Sequence, residues 1–304
     1  NKEEIVFKET ENLKYFYELN QNSIQEDLYT PSWLDYKPKI TINKDSLNER
    51  FDYGIEKPVN VFRIIVLGDS WTYGRYVNTK DNFSEVLEDI LNNNTDCRSP
   101  KKFEVINLGV PSYDIAYSAE RFGLKGAKYK PDLVVWFLIE NDFSEINEFL
   151  RERSNKYLQE LLQAQGVKEG SYKDNILDSL TKPPYSPGVQ SWLKALDDQG
   201  KEISDEERFK YQETALKSID QYHKGSLVFL TLPRTTYIGQ EETKIIKKFQ
   251  RERKNTYIFE NSIDLNSDGL VLPDRHPNKD GHRRLASDLF IYLKDNKIIN
   301  CNSD

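Results

Sequence analysis

Residues 64–74 read IIVLGDSWTYG. The apolar run, which begins at Val61 as VFRIIVL, is short, rich in β-branched residues and closed by glycine. A run of this kind suits a strand buried on both faces of a parallel sheet. Gly68 permits a sharp turn after it, and the chain then heads toward a helix. In open parallel sheets, ligands bind outside the carboxyl ends of the strands. Ser70 therefore stands where a nucleophile would have to be, close to a helix N-terminus that favours negative charge.

The pattern recurs along the chain. Phe103–Asn107 (FEVIN), Asp132–Leu138 (DLVVWFL), Ser226–Leu232 (SLVFLTL) and Thr256–Glu260 (TYIFE) read as further buried strands. Amphipathic stretches separate them. Phe83, Val86, Leu87, Ile90 and Leu91 share one helical face, with Asn82 and Glu85 at capping-box spacing. Ile245, Ile246 and Phe249 form a second face, and Leu285, Ala286, Leu289, Phe290 and Leu293 a third. Strand–helix alternation of this kind predicts an α/β fold of three layers around a parallel sheet. Two regions break the alternation. Residues 1–60 are polar, aromatic and punctuated by Pro, and read as an extension wrapping a domain of residues 61–304. Residues 142–225 are too long for one crossover and read as a helical insertion around the loop LTKPPYSPGVQ, serving as a lid or as a structural cap.

Composition narrows the chemistry. The 304 residues carry a net charge of −7, with 37% hydrophobic, 31% charged and 12% aromatic residues. That is too aromatic for a disordered chain and too acidic for a protein whose main task is to bind phosphate backbones, so no nucleic-acid partner is expected. Two Cys exclude a disulfide-dense scaffold and a Cys-only zinc site, and three His leave few ways to build a metal centre. No cofactor is expected. No apolar stretch is long enough to span a membrane. The chain starts at Asn1 and has no Met, so a removed signal or anchor segment is an open expectation.

Three later segments reach the same sheet edge as Ser70. INLGVPSYD (106–114) follows the second strand, FLIENDF (137–143) the third, and LPDRHPNKDGHRRLA (272–286) precedes the last helix. With these in order, the chain resembles the SGNH/GDSL hydrolase superfamily, whose four sequence blocks they match. The resemblance implies a flavodoxin-like sheet of five parallel strands in 2-1-3-4-5 order and no required metal. It implies Ser70 as nucleophile within Gly68-Asp69-Ser70. The family's second block usually holds a glycine whose N–H faces the oxyanion; that position is Ser112 here, with Gly109 the second candidate. The third block usually reads G-x-N-D; here Ile139 replaces the glycine and Asn141 is kept as a side-chain oxyanion donor. The fourth usually reads D-x-x-H; here Asp274 lies two residues before His276 and Pro273 three before. His276 is then the base and Asp274 its orienting acid. The resemblance spans roughly Val61 to Leu293, with the insertion unmatched.

The implied function is a serine hydrolase cleaving an O-acyl ester of a small molecule, lipid or carbohydrate, an acetylated sugar among them. A sugar O-acyltransferase with the same machinery and a non-catalytic binding protein on the same fold are the alternatives. The lead-in resembles the segment that precedes the catalytic domain in membrane-anchored members, which favours export. In the flavodoxin-like order, Cys97 and Cys301 follow helices on the same face, so a disulfide between them is a hypothesis that implies an oxidising compartment. Trp71, Tyr113 and Phe143 flank the blocks and are candidates for a substrate pocket or for ordinary packing, as is Tyr73. His282 is read as a structural neighbour of His276 and His223 as a surface residue. Asp264–Gly269 (DLNSDG) matches the first half of a calcium loop, but its twelfth position is Arg275, so an Asx-rich turn is the better reading.

Overall fold

The computed structural model describes residues 5–26, 31–94, 97, 102–165 and 187–301. Four short strands come first: β1 (Ile5–Phe7), β2 (Tyr17–Leu19), β3 (Ser23–Glu26) and β4 (Lys39–Ile42), paired as two antiparallel ribbons. The main sheet follows as β5 (Val61–Leu67), β6 (Lys102–Asn107), β7 (Leu133–Phe137), β8 (Ser226–Thr231) and β9 (Thr256–Glu260). Its order is β6-β5-β7-β8-β9, parallel throughout, with one switch of direction at β5. The helices are α1 (Ser70–Tyr73), α2 (Phe83–Asn93), α3 (Ile115–Arg121), α4 (Asn141–Ser144), α5 (Asn147–Gln165), α6 (Pro187–Glu202), α7 (Asp205–Ser218), α8 (Gln240–Glu252) and α9 (Lys279–Asp295).

Strand alternation divides the core into two layers. Ile64, Val66, Val105, Val135 and Val228 point to the face covered by Phe83 and Leu87 of α2 and by Leu285 and Leu289 of α9. Ile65, Leu67, Ile106, Val134 and Phe229 point the other way, against Ile115 of α3, Leu216 of α7 and Phe249 of α8. Successive side chains leave a strand on opposite faces, so unbroken apolar runs are needed to fill both layers. At the start of α2, Asn82 accepts from the Glu85 N–H at 3.0 Å. The Glu85 side chain does not complete a capping box; it is fully buried and bonds Arg50 of the lead-in.

Residues 142–225 separate into two parts. α7 is the crossover helix that packs on the sheet, with Leu216 and Ile219 in the second layer. α5 and α6 are the added helices, and Gln199 of α6 donates to the Ile146 carbonyl at 2.7 Å. Most of the loop LTKPPYSPGVQ lies outside the described residues.

The lead-in shares cores with the domain. Phe16, Tyr17, Leu19, Ile40 and Ile42 pack with Tyr113 and Tyr117. At the opposite end of the sheet, buried Arg63 ion-pairs with Glu104 at 2.6 Å and donates to the Gly54 carbonyl at 2.6 Å. The backbone N–H groups of Lys14 and Tyr15 both donate to Glu148 of α5, at 3.1 and 2.9 Å. Lead-in and α5 thereby hold each other.

Cys97 and Cys301 are joined in a disulfide across a sequence separation of 204. It ties the loop after α2 to the segment after α9, whose helices lie on one face of the sheet. By chain-entropy reasoning, a loop of this length is worth about 5 kcal/mol. Reduction, or paired Cys97→Ser and Cys301→Ser substitution, is expected to lower the melting temperature by roughly 6–8 °C. Thermal melts with and without reductant check this, and superimposable melts would remove the disulfide as a stabilising element.

Candidate active site

Gly68 closes β5 at a φ of +150°, and a Cβ there would lie 2.2 Å from Thr72 Oγ1 and 2.9 Å from the Phe137 carbonyl oxygen. Only glycine fits so close an approach. The chain then turns into the single turn of α1, where Asp69 caps the helix by accepting from the Trp71 N–H at 2.9 Å. Ser70 is 7% exposed.

The loop before α9 brings its side chains to Ser70. His276 Nε2 lies 2.8 Å from Ser70 Oγ, and His276 Nδ1 lies 2.9 Å from Asp274 Oδ2. Asp274 Oδ1 also accepts from the His276 backbone N–H at 3.2 Å. Between the two, Arg275 adopts a left-handed backbone at φ +73°. Burial pushes the Asp274 carboxyl up, but the hydrogen bond and charge of His276 outweigh it and hold the group below the usual range. Asp274 is therefore a carboxylate at neutral pH, able to fix the imidazole so that Nε2 faces the serine.

A second carboxyl, that of the adjacent Asp69, lies beside the serine. Asp69 Oδ2 lies 3.2 Å from Ser70 Oγ and accepts from Asn141 Nδ2 at 3.4 Å. Burial pushes Asp69 above its ordinary range. Asn141 is the first residue of α4, and buried Asp142 behind it accepts from the Ile139 N–H at 2.7 Å. Burial also pushes Asp142 well up, with the nearby Asp69 charge adding to the effect.

The turn after β6 is bonded to the Ser70 loop, since the Val110 N–H donates to the Gly68 carbonyl at 3.3 Å. Its two oxyanion candidates part company here. The Gly109 N–H is already donated to Asn107 Oδ1 at 2.8 Å. Gly109 is a packing glycine, for a Cβ would lie 2.3 Å from the Tyr73 nitrogen. Ser112 takes a left-handed backbone at φ +62°, a conformation that costs a non-glycine residue about 1 kcal/mol or more. This is the physical reason a glycine is common at such a turn.

Other expectations are corrected. Tyr113 and Phe143 are not pocket residues: they are 1% and 2% exposed, Tyr113 among Tyr17 and Tyr117, Phe143 in the second sheet layer. Trp71 is also core, edge-on to Phe137, with its ring centroid 6.4 Å from that of His276. Sequence reading does not find a further aromatic neighbour of His276. Tyr76 stands edge-on to it at 5.5 Å, and Trp33 of the lead-in stands edge-on to Tyr76 at 5.3 Å. His223 is not a surface residue; it is 5% exposed and its Nε2 lies 2.9 Å from the Ser226 carbonyl. Asp264 spends its oxygens on the Asn266 and Ser267 N–H groups and the Ser267 hydroxyl, which is an Asx turn. Among the described residues, no group of His, Cys, Asp or Glu is placed to hold a metal ion.

A family model described as GDSL-like Lipase/Acylhydrolase matches residues 64–289. The chain belongs to this family. The GDSL proteins are carboxylic ester hydrolases, and so is this chain. No curated protein matches it by sequence. Among solved structures it is similar to a two-domain esterase active on acetylated mannans, at 13% identity and a TM-score of 0.46, covering 80% of this chain and 52% of that one. The chain thus spans about half of that protein. It is also similar to a psychrotrophic esterase from Pseudoalteromonas sp. (16% identity, TM-score 0.41, covering 78% and 98%). A third is an acetylxylan esterase from Geobacillus stearothermophilus (12%, TM-score 0.43, covering 76% and 94%).

His282, in the same loop-to-helix segment as His276, is fully buried and stacks on Phe83 at 6.4 Å. Its ring nitrogens have no hydrogen-bond partner among the described residues. Burial, with help from His276, pushes it down to about 3. Above the unfolded value of about 6.5 both states hold it neutral. As pH falls below that, the unfolded chain gains a proton that the fold refuses, so stability is lost between about 6.5 and 3. At pH 5 the loss is about 2 kcal/mol. Denaturant unfolding at pH 7 and pH 5 is expected to show a fall that His282→Phe reduces by that amount. An unchanged pH dependence in the variant would refute the assignment.

Proposed function

We propose that this GDSL-family chain is a serine esterase in which Ser70, His276 and Asp274 form the catalytic triad. The observation that carries the reading is the unbroken relay from Asp274 Oδ2 to His276 Nδ1 at 2.9 Å, and from His276 Nε2 to Ser70 Oγ at 2.8 Å. Nε2 takes the hydroxyl proton as Oγ bonds the ester carbonyl carbon. The carbonyl oxygen becomes an oxyanion, received by the N–H groups of Ser70 and Ser112 and by the Asn141 amide. The C–O bond to the alcohol then breaks, and His276 returns the proton to the leaving oxygen. Water repeats the cycle on the acyl-Ser70 ester. Asp274 keeps the imidazole in the right tautomer and stabilises its cation.

The substrate proposed is an O-acylated carbohydrate. Trp33, edge-on to the buried Tyr76 ring beside His276, and Tyr36 are 37% and 39% exposed and supply a rim suited to stacking on a sugar ring. The Cys97–Cys301 disulfide supports an oxidising, extracytoplasmic compartment. No helix among the described residues is long and apolar enough to cross a membrane.

A fluorophosphonate probe is expected to label the wild type on Ser70 and to leave Ser70→Ala unlabelled. Equal labelling of the two proteins sinks the serine mechanism. Acetylated xylo-oligosaccharides should be deacetylated at a higher kcat/KM than a simple alkyl acetate. Product analysis with a polyol present separates hydrolysis from acyl transfer.

A further inference from the structure

We propose that Tyr17 of the lead-in and Asn147 at the start of α5 are positioning residues that aim the Ser112 N–H at the oxyanion. The inference rests on the esterase reading above and adds residues outside all four sequence blocks.

A trans peptide is planar, with its C=O and N–H pointing in opposite directions. Whatever holds one end therefore orients the other. The peptide that joins Pro111 to Ser112 has its carbonyl held by the Tyr17 hydroxyl, which donates at 2.7 Å. Its N–H, that of Ser112, is turned to the opposite side and donates to no acceptor among the described residues. The next peptide is held as well. Asn147 Nδ2 donates to the Ser112 carbonyl at 2.9 Å. With both flanking peptides fixed, the backbone of Ser112 is fixed at its left-handed φ of +62°.

The two clamps are themselves rigid. Tyr17 is 2% exposed, and Tyr113 from the same turn donates its hydroxyl to the Tyr17 carbonyl. Burial pushes the Tyr17 hydroxyl up to about 12, so it remains a donor at every working pH. Asn147 is 4% exposed, and its backbone N–H donates at 2.7 Å to Asp114, which also caps α3 through the Ala116 and Tyr117 N–H groups. Serine, unlike glycine, resists the left-handed region, so outside restraint has a specific task at this position.

Tyr17→Phe removes one oxygen and keeps the ring packing. The variant is expected to lose about 10- to 100-fold in kcat with KM within about threefold, since an oxyanion donor as a whole is worth about 10²–10³. Asn147→Ala, measured alongside, is expected to show the same split and to combine with Tyr17→Phe less than multiplicatively, because both act through one turn. A kcat within twofold of wild type in both single variants overturns the inference, as does a loss that appears in KM alone. If Tyr17→Phe does not fold, Asn147→Ala carries the test by itself. Failure of the esterase reading shows separately, as full activity in Ser70→Ala.

Discussion

His276→Ala is expected to lower kcat by about five to six orders of magnitude while leaving KM nearly unchanged. The size follows from the unit behaviour of a nucleophile and its base. Without Nε2 at 2.8 Å, the Ser70 hydroxyl keeps its proton and attacks poorly, and no group returns a proton to the leaving alcohol. Asp69 does not replace it. Its Oδ2 lies 3.2 Å from Ser70 Oγ, but it already caps α1 and meets the Asn141 amide. The double variant Ser70→Ala/His276→Ala should therefore be hardly slower than either single one. Steady-state kinetics on a chromogenic short-chain ester check both statements. A loss of less than a hundredfold in His276→Ala would mean that another base serves Ser70.

Asp274→Asn is expected to cost about 10³–10⁴ in kcat, again with little change in KM. The substitution keeps the size of the side chain and removes its charge. An amide can donate to Nδ1 as readily as accept from it, so the imidazole is free to take the tautomer with its proton on Nε2. That tautomer cannot accept the Ser70 proton. Loss of the charge also leaves the imidazolium of the transition state unsupported. Asp274 has a partly exposed side chain, at 29%, so water competes for the position and the lower end of the range is expected. Activity within tenfold of wild type would place the orienting role elsewhere, with Asp69 the next carboxylate to substitute.

Much of this geometry was legible before any coordinates. The five strands of the main sheet are apolar runs closed by small or polar residues, and a run that must fill two core layers leaves an unambiguous trace. Val61–Leu67 and Thr256–Glu260 are observed with the bounds that the pattern predicts. Ser70, Asn141 and Ser112 could be placed at one edge because each follows a parallel strand, whose carboxyl ends must all lie on the same side. Aromatic residues were harder. Tyr113 and Phe143 flank the blocks exactly as pocket residues would, and nothing in their spacing shows that the lead-in and α7 bury them. His223 was misjudged for the same reason, because a polar stretch can still fold its histidine against Phe122.

What the sequence by itself determined is the order of elements, the sheet they form and the loops that carry Ser70, Asn141 and His276. The elements and the parallel sheet follow from short-range periodicity, while the strand order and the site roles of these residues came with the family resemblance. What only the tertiary structure decided is the set of contacts between segments far apart in the chain. The 2.8 Å approach of His276 to Ser70 crosses 206 positions. The hold of Tyr17 on Pro111 crosses 94. The rejection of Gly109 depends on an Asn107 side chain turned back on its own loop. Each depends on a donor direction or on a distance of a few ångströms. Residue type and spacing specify which groups can meet, but only the packing of both layers and the lead-in sets where they point.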